Sequence, residues 1–163
     1  MKKLLLFFVS MNLFITGCSS DSDSQNIDSE IIANGIEFVP TKLKVSNGVA
    51  LVEGEAALDF SLTKGSSGSS NYEALTFKIN YPLTSSSAPN GIYEFGIGET
   101  GTMLFAQGSY TKGSTTYILA GYPVKVTALG NDKFKLEFQN IEAVNPSDFS
   151  QIIISGYCEG KFQ

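Results

Sequence analysis

Three residue types that support much of protein chemistry are missing from this chain. Its 163 residues include no histidine, no arginine and no tryptophan. Without histidine, the usual nucleophile–base triads and histidine-ligated zinc or copper sites are excluded. Without arginine, bidentate recognition of phosphate or carboxylate is excluded as well. The 11 lysines stand against 16 acidic residues, and an acidic chain without a basic patch is not expected to bind nucleic acid.

The amino terminus has the organisation of a secretory signal. Lys2 and Lys3 form a positive segment, and residues 4–15 are apolar except for Ser10 and Asn12. This run is shorter than the roughly 20 apolar residues that a membrane-spanning helix needs. Its length and flanks predict a signal peptide, with a transmembrane anchor as the weaker alternative.

The run ends in Ile15-Thr16-Gly17-Cys18, which resembles the bacterial lipobox. The resemblance implies cleavage between Gly17 and Cys18 and lipid attached to the Cys18 sulfur. Residues 1–17 would then be the signal peptide, and the acyl chains would anchor the mature chain to a membrane, since each buried methylene contributes about 0.8 kcal/mol. The alternative is an ordinary signal peptide with a chance cysteine.

Residues 18–33 are rich in serine and acidic residues and poor in apolar ones, which predicts a flexible acidic tether. The run from Ser19 to Asp23 resembles the acidic export signal of Bacteroidetes lipoproteins. The resemblance implies export to the outer face of the outer membrane. Because the acids are interrupted by serines, we expect an outer-membrane location with the domain facing either the periplasm or the cell surface. A plain acidic linker is the alternative.

From residue 34 to residue 163 the apolar residues recur with a period of two, which is typical of strands with one buried face. We expect a single all-β domain of eight or nine strands and no helix. The alternation favours an antiparallel β-sandwich, with a closed up-and-down, lipocalin-like barrel as the alternative. Two glycine-containing interruptions are expected inside strands, at Gly54 in a strand over 49–63 and at residues 121–123.

The second half resembles small Bacteroidetes outer-membrane lipoproteins in four motifs. They are Pro89-Asn90-Gly91-Ile92-Tyr93, Gly121-Tyr122-Pro123-Val124-Lys125-Val126, Phe134-Lys135-Leu136-Glu137-Phe138 and the closing stretch 154–162. The resemblance implies a β-sandwich in the same location. Those proteins share no assigned activity, so no site residues are transferred.

Several candidates for chemistry have an ordinary structural explanation. Glu53 and Glu55 would share a strand face, where a glycosidase pair is possible but a solvated surface is the simpler reading. The motifs at 131–132 and 145–148 have too few oxygen ligands for calcium and suit turn capping. With Cys18 lipidated, Cys158 has no partner in the chain, and we expect a buried thiol rather than a redox or nucleophilic one.

Tyrosines are the most informative class in the carboxyl-terminal half. Exposed tyrosines stack on sugars and bind peptides with little loss of entropy, whereas packing in the core is the alternative. Tyr110, Tyr122 and Tyr157 are therefore the candidate ligand-binding residues.

The function predicted from the sequence is that of a lipid-anchored, non-enzymatic binding or scaffold module for an extracytoplasmic glycan or protein. A barrel that carries a small apolar ligand is the alternative, and a glycan-acting enzyme is a third reading. We expect a monomer, no cofactor and no metal, and contact with the membrane through the lipid on Cys18.

Overall fold

The computed structural model describes residues 25–86, 88–96 and 104–163. These residues form ten strands and, within the described ranges, no helix, which confirms the all-β prediction. The strands are β1 Asp28–Ala33, β2 Ile36–Phe38, β3 Lys42–Gly48, β4 Glu55–Lys64, β5 Glu73–Pro82, β6 Gly91–Phe95, β7 Phe105–Lys112, β8 Thr115–Gly130, β9 Lys133–Val144 and β10 Gln151–Lys161. In this part of the chain no helix has the length and apolar character to cross a membrane.

All ten strands belong to one curled sheet, in the order β2-β1-β10-β9-β8-β6-β7-β5-β4-β3. The strand number exceeds the eight or nine predicted, and the sheet is mixed rather than purely antiparallel, because β6 and β7 run parallel. β6 lies between β8 and β7 at one end only. At the other end Ser109–Lys112 of β7 pairs directly with Thr115–Ile118 of β8.

The predicted tether over 18–33 extends too far into the domain. Asp28–Ala33 is β1, which pairs with β10 on one side and β2 on the other. The side chain of Ile31 is fully buried, so even this short apolar alternation is enough to dock the strand. Gly156 permits the approach, because a Cβ there would collide with the carbonyl group of Glu30. Residues 18–24 lie outside the described ranges.

The fourth strand is shorter than the sequence predicts. It begins at Glu55 instead of Val49, and residues 51–54 form a bend and a turn. Gly54 has φ +87°, a left-handed conformation that ends the turn and cannot sit in a regular strand. Glu53 therefore lies in the turn and Glu55 in the strand, so the two do not form a pair on one strand face.

The interruption predicted near residue 122 is confirmed as a bulge. Glu94 pairs with Pro123 and Phe95 pairs with Gly121, which leaves Tyr122 as the extra residue of β8. Gly121 has φ +72°, a conformation that allows the strand to bend at this position.

Aromatic rings from the two halves of the sheet meet in the interior. The ring of Phe60 in β4 lies 5.2 Å from that of Phe134 in β9 and 5.5 Å from that of Phe162. Phe77 in β5 similarly contacts Phe138 in β9, at 6.1 Å. The inward rows predicted at 75–81 and 134–138 are thus confirmed as parts of one core.

The last strand in the sheet order, β3, is bonded to the end of the chain. The Gln163 N–H donates to the Leu43 carbonyl at 3.1 Å, and the Val45 N–H donates to the Gln163 carbonyl at 3.2 Å. The side chain of Gln25 adds to this junction, because its amide nitrogen donates to the carbonyls of Leu43 and Lys161 at 3.0 and 3.1 Å. The segment that follows β10 is therefore hydrogen-bonded to β3, which is seven places from β10 in the sheet order.

Cys158 lies in the core with no exposed surface and is a free thiol. Burial raises its pKa to about 12. The thiol is therefore protonated at neutral pH and behaves as a small apolar side chain, as predicted.

Candidate ligand-binding site

The outer face of β4, β5 and β7 presents rows of polar side chains. Residues that alternate with the buried Phe60, Phe77 and Tyr110 point outwards because successive side chains of a strand lie on opposite faces. The pairing of the three strands places Asp59, Lys78 and Gln107 in one row across the sheet. The neighbouring row contains Ser61, Thr76 and Ser109.

A shallow, open groove of about 340 Å³ runs over these rows. Its lining includes Asp59, Thr76, Lys78, Gln107 and Gly108. Gly108 pairs with Phe77 in the inward-facing row, so only its main chain borders the groove. A Cβ there would meet the Thr76 carbonyl and would lie 2.6 Å from the Phe77 Cβ. Any other residue at 108 would have to displace the main chain of β5.

The groove combines charges of both signs with neutral hydrogen-bonding groups. The Lys78 ammonium lies 3.9 Å from Asp59 and donates a hydrogen bond of 3.1 Å to the Val49 carbonyl. The hydroxyls of Thr76 and Ser109 are 3.2 Å apart. Together with the exposed amide of Gln107, these groups can donate to and accept from a polar ligand at several points.

A second pocket, of about 600 Å³, lies between the loop after β4 and the turn between β7 and β8. It is lined by Gly68, Ser69, Ser70, Lys112, Gly113 and Ser114. The Gly113 N–H donates to the Tyr72 carbonyl at 2.8 Å, which ties the turn to the loop. This contact brings the glycine-serine stretch 65–70 beside the turn, so that both line the pocket.

A buried acid lies beside that pocket. Glu73 is only 6% exposed, and the Tyr110 hydroxyl donates a hydrogen bond to its carboxylate. In the sheet Glu73 pairs with Lys64 and Lys112, whose ammonium nitrogens lie 4.0 and 3.7 Å from its oxygens. Burial, followed by the bond to Glu73, raises the pKa of Tyr110 well above its ordinary value. This cluster stabilises a carboxylate at the edge of the core.

The three candidate tyrosines lie on three strands and have different surroundings. Tyr110 is 2% exposed, and its ring packs 6.1 Å from that of Phe38, so it is part of the core. Tyr122 is 56% exposed in the β8 bulge. Tyr157 is half-buried on the outer face of β10. The structure does not gather the three into one surface, and their ligand-binding role stays a prediction.

Tyr157 is held by two neighbours. Its hydroxyl donates to Asp28 at 3.1 Å, and the Lys135 ammonium lies 5.3 Å from the centre of its ring. The bond to Asp28 is the main reason that the pKa of Tyr157 is raised. Since Asp28 is the first residue of β1, this contact links the start of the domain to β10.

The acidic motifs weighed from the sequence behave as expected for turns. Asn145 accepts a hydrogen bond from the Ser147 N–H, and Asp148 accepts bonds from the N–H and hydroxyl of Ser150. The Ser150 bonds lower the pKa of Asp148. Residues 131 and 132 form the turn between β8 and β9 with positive φ angles. In the described ranges, no group of three or more His, Cys, Asp or Glu side chains is placed to hold a metal ion.

The groove residues were not identified as a site from the sequence. Their outward orientation was predictable from the alternation, but their meeting in one row requires that β7 pairs with β5, which β6 separates from it along the chain. Comparison with protein-family models, with curated proteins and with solved structures found no match to this chain.

Proposed function

We propose that this chain is a lipid-anchored, non-enzymatic binding module that holds a hydroxyl-rich ligand of the glycan class in the groove on β4, β5 and β7. The groove itself is the observation that carries the proposal. Within about 340 Å³ it brings together a carboxylate, an ammonium group, an amide and a hydroxyl group. Sugars present closely spaced hydroxyls that both donate and accept, so a mixed set of this kind suits them.

A carrier of a small apolar ligand is the less favoured function. Such a carrier needs a hollow interior. In this domain, aromatic rings from different strands are in contact with one another inside the sheet. Phe60 contacts Phe77, Phe134 and Phe162 at centroid distances of 5.1 to 5.5 Å. Contacts of this kind support a packed core instead of a binding cavity.

The curled sheet forms, in this proposal, a flattened closed barrel with a filled interior. The bonds of Gln163 to Leu43 and Val45 support closure, since they join β3 to the segment after β10. The ring contacts between β4 and β9 support flattening, because they bring opposite walls together. An open sandwich would instead leave β3 as a free edge next to solvent.

The anchor is proposed to be lipid on Cys18, with the domain held at the outer membrane as a monomer. The lipobox at 15–18 and the apolar run before it support this assignment. The first described strand begins at Asp28, so about ten residues would separate the lipid from the sheet. So short a connection would keep the groove close to the membrane surface.

A glycan array probed with the purified mature protein tests the proposed ligand class. For any glycan that binds, Lys78→Ala and Gln107→Ala should each weaken affinity about five- to thirty-fold, the loss expected when a contact of 1–2 kcal/mol is removed. Lys135→Ala, on the outer face of β9, is the matched control and should bind like the wild type. An array without any bound glycan, or equal affinity in all variants, would contradict the proposal.

The anchor has its own test, independent of the ligand. Growth with an alkyne fatty acid should label the wild-type protein, and Cys18→Ala should remove both the label and the membrane association. Label that persists on the Cys18→Ala protein would rule out this cysteine as the lipid acceptor.

A further inference from the structure

One row of the outer face is buried although it does not belong to the core. The strand pairing places Ala57, Asn80 and Phe105 side by side, next to the row that lines the groove. These three residues are 4%, 0% and 5% exposed, so other parts of the chain cover the outer face of the sheet at this end. The connection that precedes β4 contributes, because the Val49 carbonyl bonds to Lys78 and the Gly54 carbonyl accepts from the Leu83 N–H.

Asn80 is the unusual member of this row. Both polar atoms of its side-chain amide are buried, and neither has a hydrogen-bond partner. A carboxamide in this situation loses the bonds it had to water and gains none, which is among the more costly arrangements in a folded protein. Ala57 on one side and Phe105 on the other offer it no polar group in the row.

Glu55, on the neighbouring strand β4, also has buried polar atoms without hydrogen-bond partners. These atoms are its two carboxylate oxygens. Glu55 shares the outer face with Ala57, which pairs with Asn80, so Glu55 and Asn80 are diagonal neighbours across β4 and β5. Diagonal neighbours lie about 7–8 Å apart at Cα, a separation that two side chains of this length can bridge around a shared ligand.

The chemistry of the Glu55 carboxylate and the Asn80 amide indicates the charge of a ligand that would satisfy both. A carboxylate taken out of water needs a positive charge or several donors beside it. Lys78, the nearest cation on this face of β5, is bonded to the Val49 carbonyl and lies beside Asp59 instead. A carboxylate and an amide oxygen are the hard oxygen ligands that Ca²⁺ prefers, and main-chain carbonyls of adjacent turns commonly complete its coordination.

Main-chain carbonyls belong to the turns on both sides of this point, and the Val52 carbonyl accepts from the Glu55 N–H at 3.3 Å, which leaves it a second lone pair. Glu55 follows directly on the turn at 51–54 and pairs with Pro82, after which the chain turns again. Turns of this kind tolerate the six to eight ligands and irregular geometry of Ca²⁺ better than the strict octahedron of Mg²⁺. The geometry points to a Ca²⁺ site formed by the carboxylate of Glu55 and the amide oxygen of Asn80, at the end of the groove. This site does not depend on the proposed glycan ligand.

Calorimetric titration of the mature protein, in detergent and freed of metal with EGTA, tests this site. We expect one Ca²⁺ per chain, with a dissociation constant of roughly 10⁻⁴–10⁻³ M as in extracellular modules, a rise in Tm with CaCl₂ and a smaller rise with MgCl₂. Glu55→Gln should weaken Ca²⁺ binding at least about tenfold, because it removes the charged ligand. Glu53→Gln, in the turn two residues earlier, makes the same change of charge and should leave binding intact.

A gain-of-binding variant guards against a failure of Glu55→Gln to fold. Asn80→Asp adds a second carboxylate and should tighten Ca²⁺ binding by roughly tenfold, since affinity rises with ligand charge. The site would be overturned by a wild-type protein that takes up no Ca²⁺ at 10 mM, the result expected if only internal water occupies this space. Equal binding by Glu55→Gln and Glu53→Gln would overturn it as well.

Discussion

The two faces of β5 lie in different environments, the packed core on one side and the groove on the other. Leu75, Phe77 and Ile79 point inwards and are at most 3% exposed, and Phe77 contacts rings from both halves of the sheet. On the opposite face, Thr76 and Lys78 line the groove, while Asn80 is buried without a partner. The inner face thus supports stability, and the outer face contains the polar groups that a ligand or an ion would use.

The largest effect expected from this comparison is on the inner face. Phe138→Ala should lower the free energy of unfolding by about 3–5 kcal/mol, because the ring is 3% exposed and its removal leaves a cavity beside Phe77. Lys135→Ala, outside on the same strand, should cost about 0.5 kcal/mol or less. Urea melts measure both values, and equal losses would mean that the faces are assigned wrongly.

A smaller loss of stability is expected when the buried hydrogen bond between Tyr110 and Glu73 is removed. Tyr110→Phe keeps the ring but removes the hydroxyl that donates to the buried Glu73. The loss should be about 1–3 kcal/mol, the range for leaving a buried acceptor without its donor. Tyr122→Phe is the matched control, since that ring is 56% exposed. Similar urea midpoints for the two variants would show that the Glu73–Tyr110 bond adds nothing to stability.

The stability of the domain should depend on pH in the alkaline range, because the Cys158 thiol and the Tyr110 hydroxyl are buried acids with raised pKa values. Cys158 has a folded-state pKa of about 12 against a reference of 9.0, and the pKa of Tyr110 is likewise raised. In the unfolded chain these groups ionise first, so their contribution to stability is complete below pH 9 and is lost as the pH rises through the folded values. Tm should therefore fall between pH 9 and pH 11. Cys158→Ala should reduce the size of that fall, and an unchanged fall would contradict the assignment.

The smallest effect on stability is expected at the exposed tyrosine. Tyr122→Ala should change the free energy of unfolding by about 0.5 kcal/mol or less. If Tyr122 contacts a ligand, the same variant should weaken affinity about five- to thirty-fold. Affinity and Tm measured on one preparation separate the two roles. A large loss of stability would show that Tyr122 belongs to the packed part of the bulge.

The fold class was accessible from the sequence because the signal for a strand is local. Rows such as Phe134, Leu136 and Phe138 alternate within a few residues, and each proved to be buried. The turn at 131–132 and the bulge at Tyr122 were also predictable, since asparagine, aspartate and glycine favour positive φ angles. The burial of Cys158 was expected because a lone thiol without a disulfide partner behaves as a small apolar side chain.

Only the tertiary structure decided which strands are neighbours. That Asp28–Ala33 joins the sheet depends on contact with Gly156, more than a hundred residues away, which local composition does not encode. The same holds for the groove, because β6 lies between β5 and β7 in the chain but not in that part of the sheet. Burial of Asn80 and of the Glu55 carboxylate oxygens on an outer face was likewise unpredictable, because period-two alternation assigns a face to a side chain but does not show what covers that face.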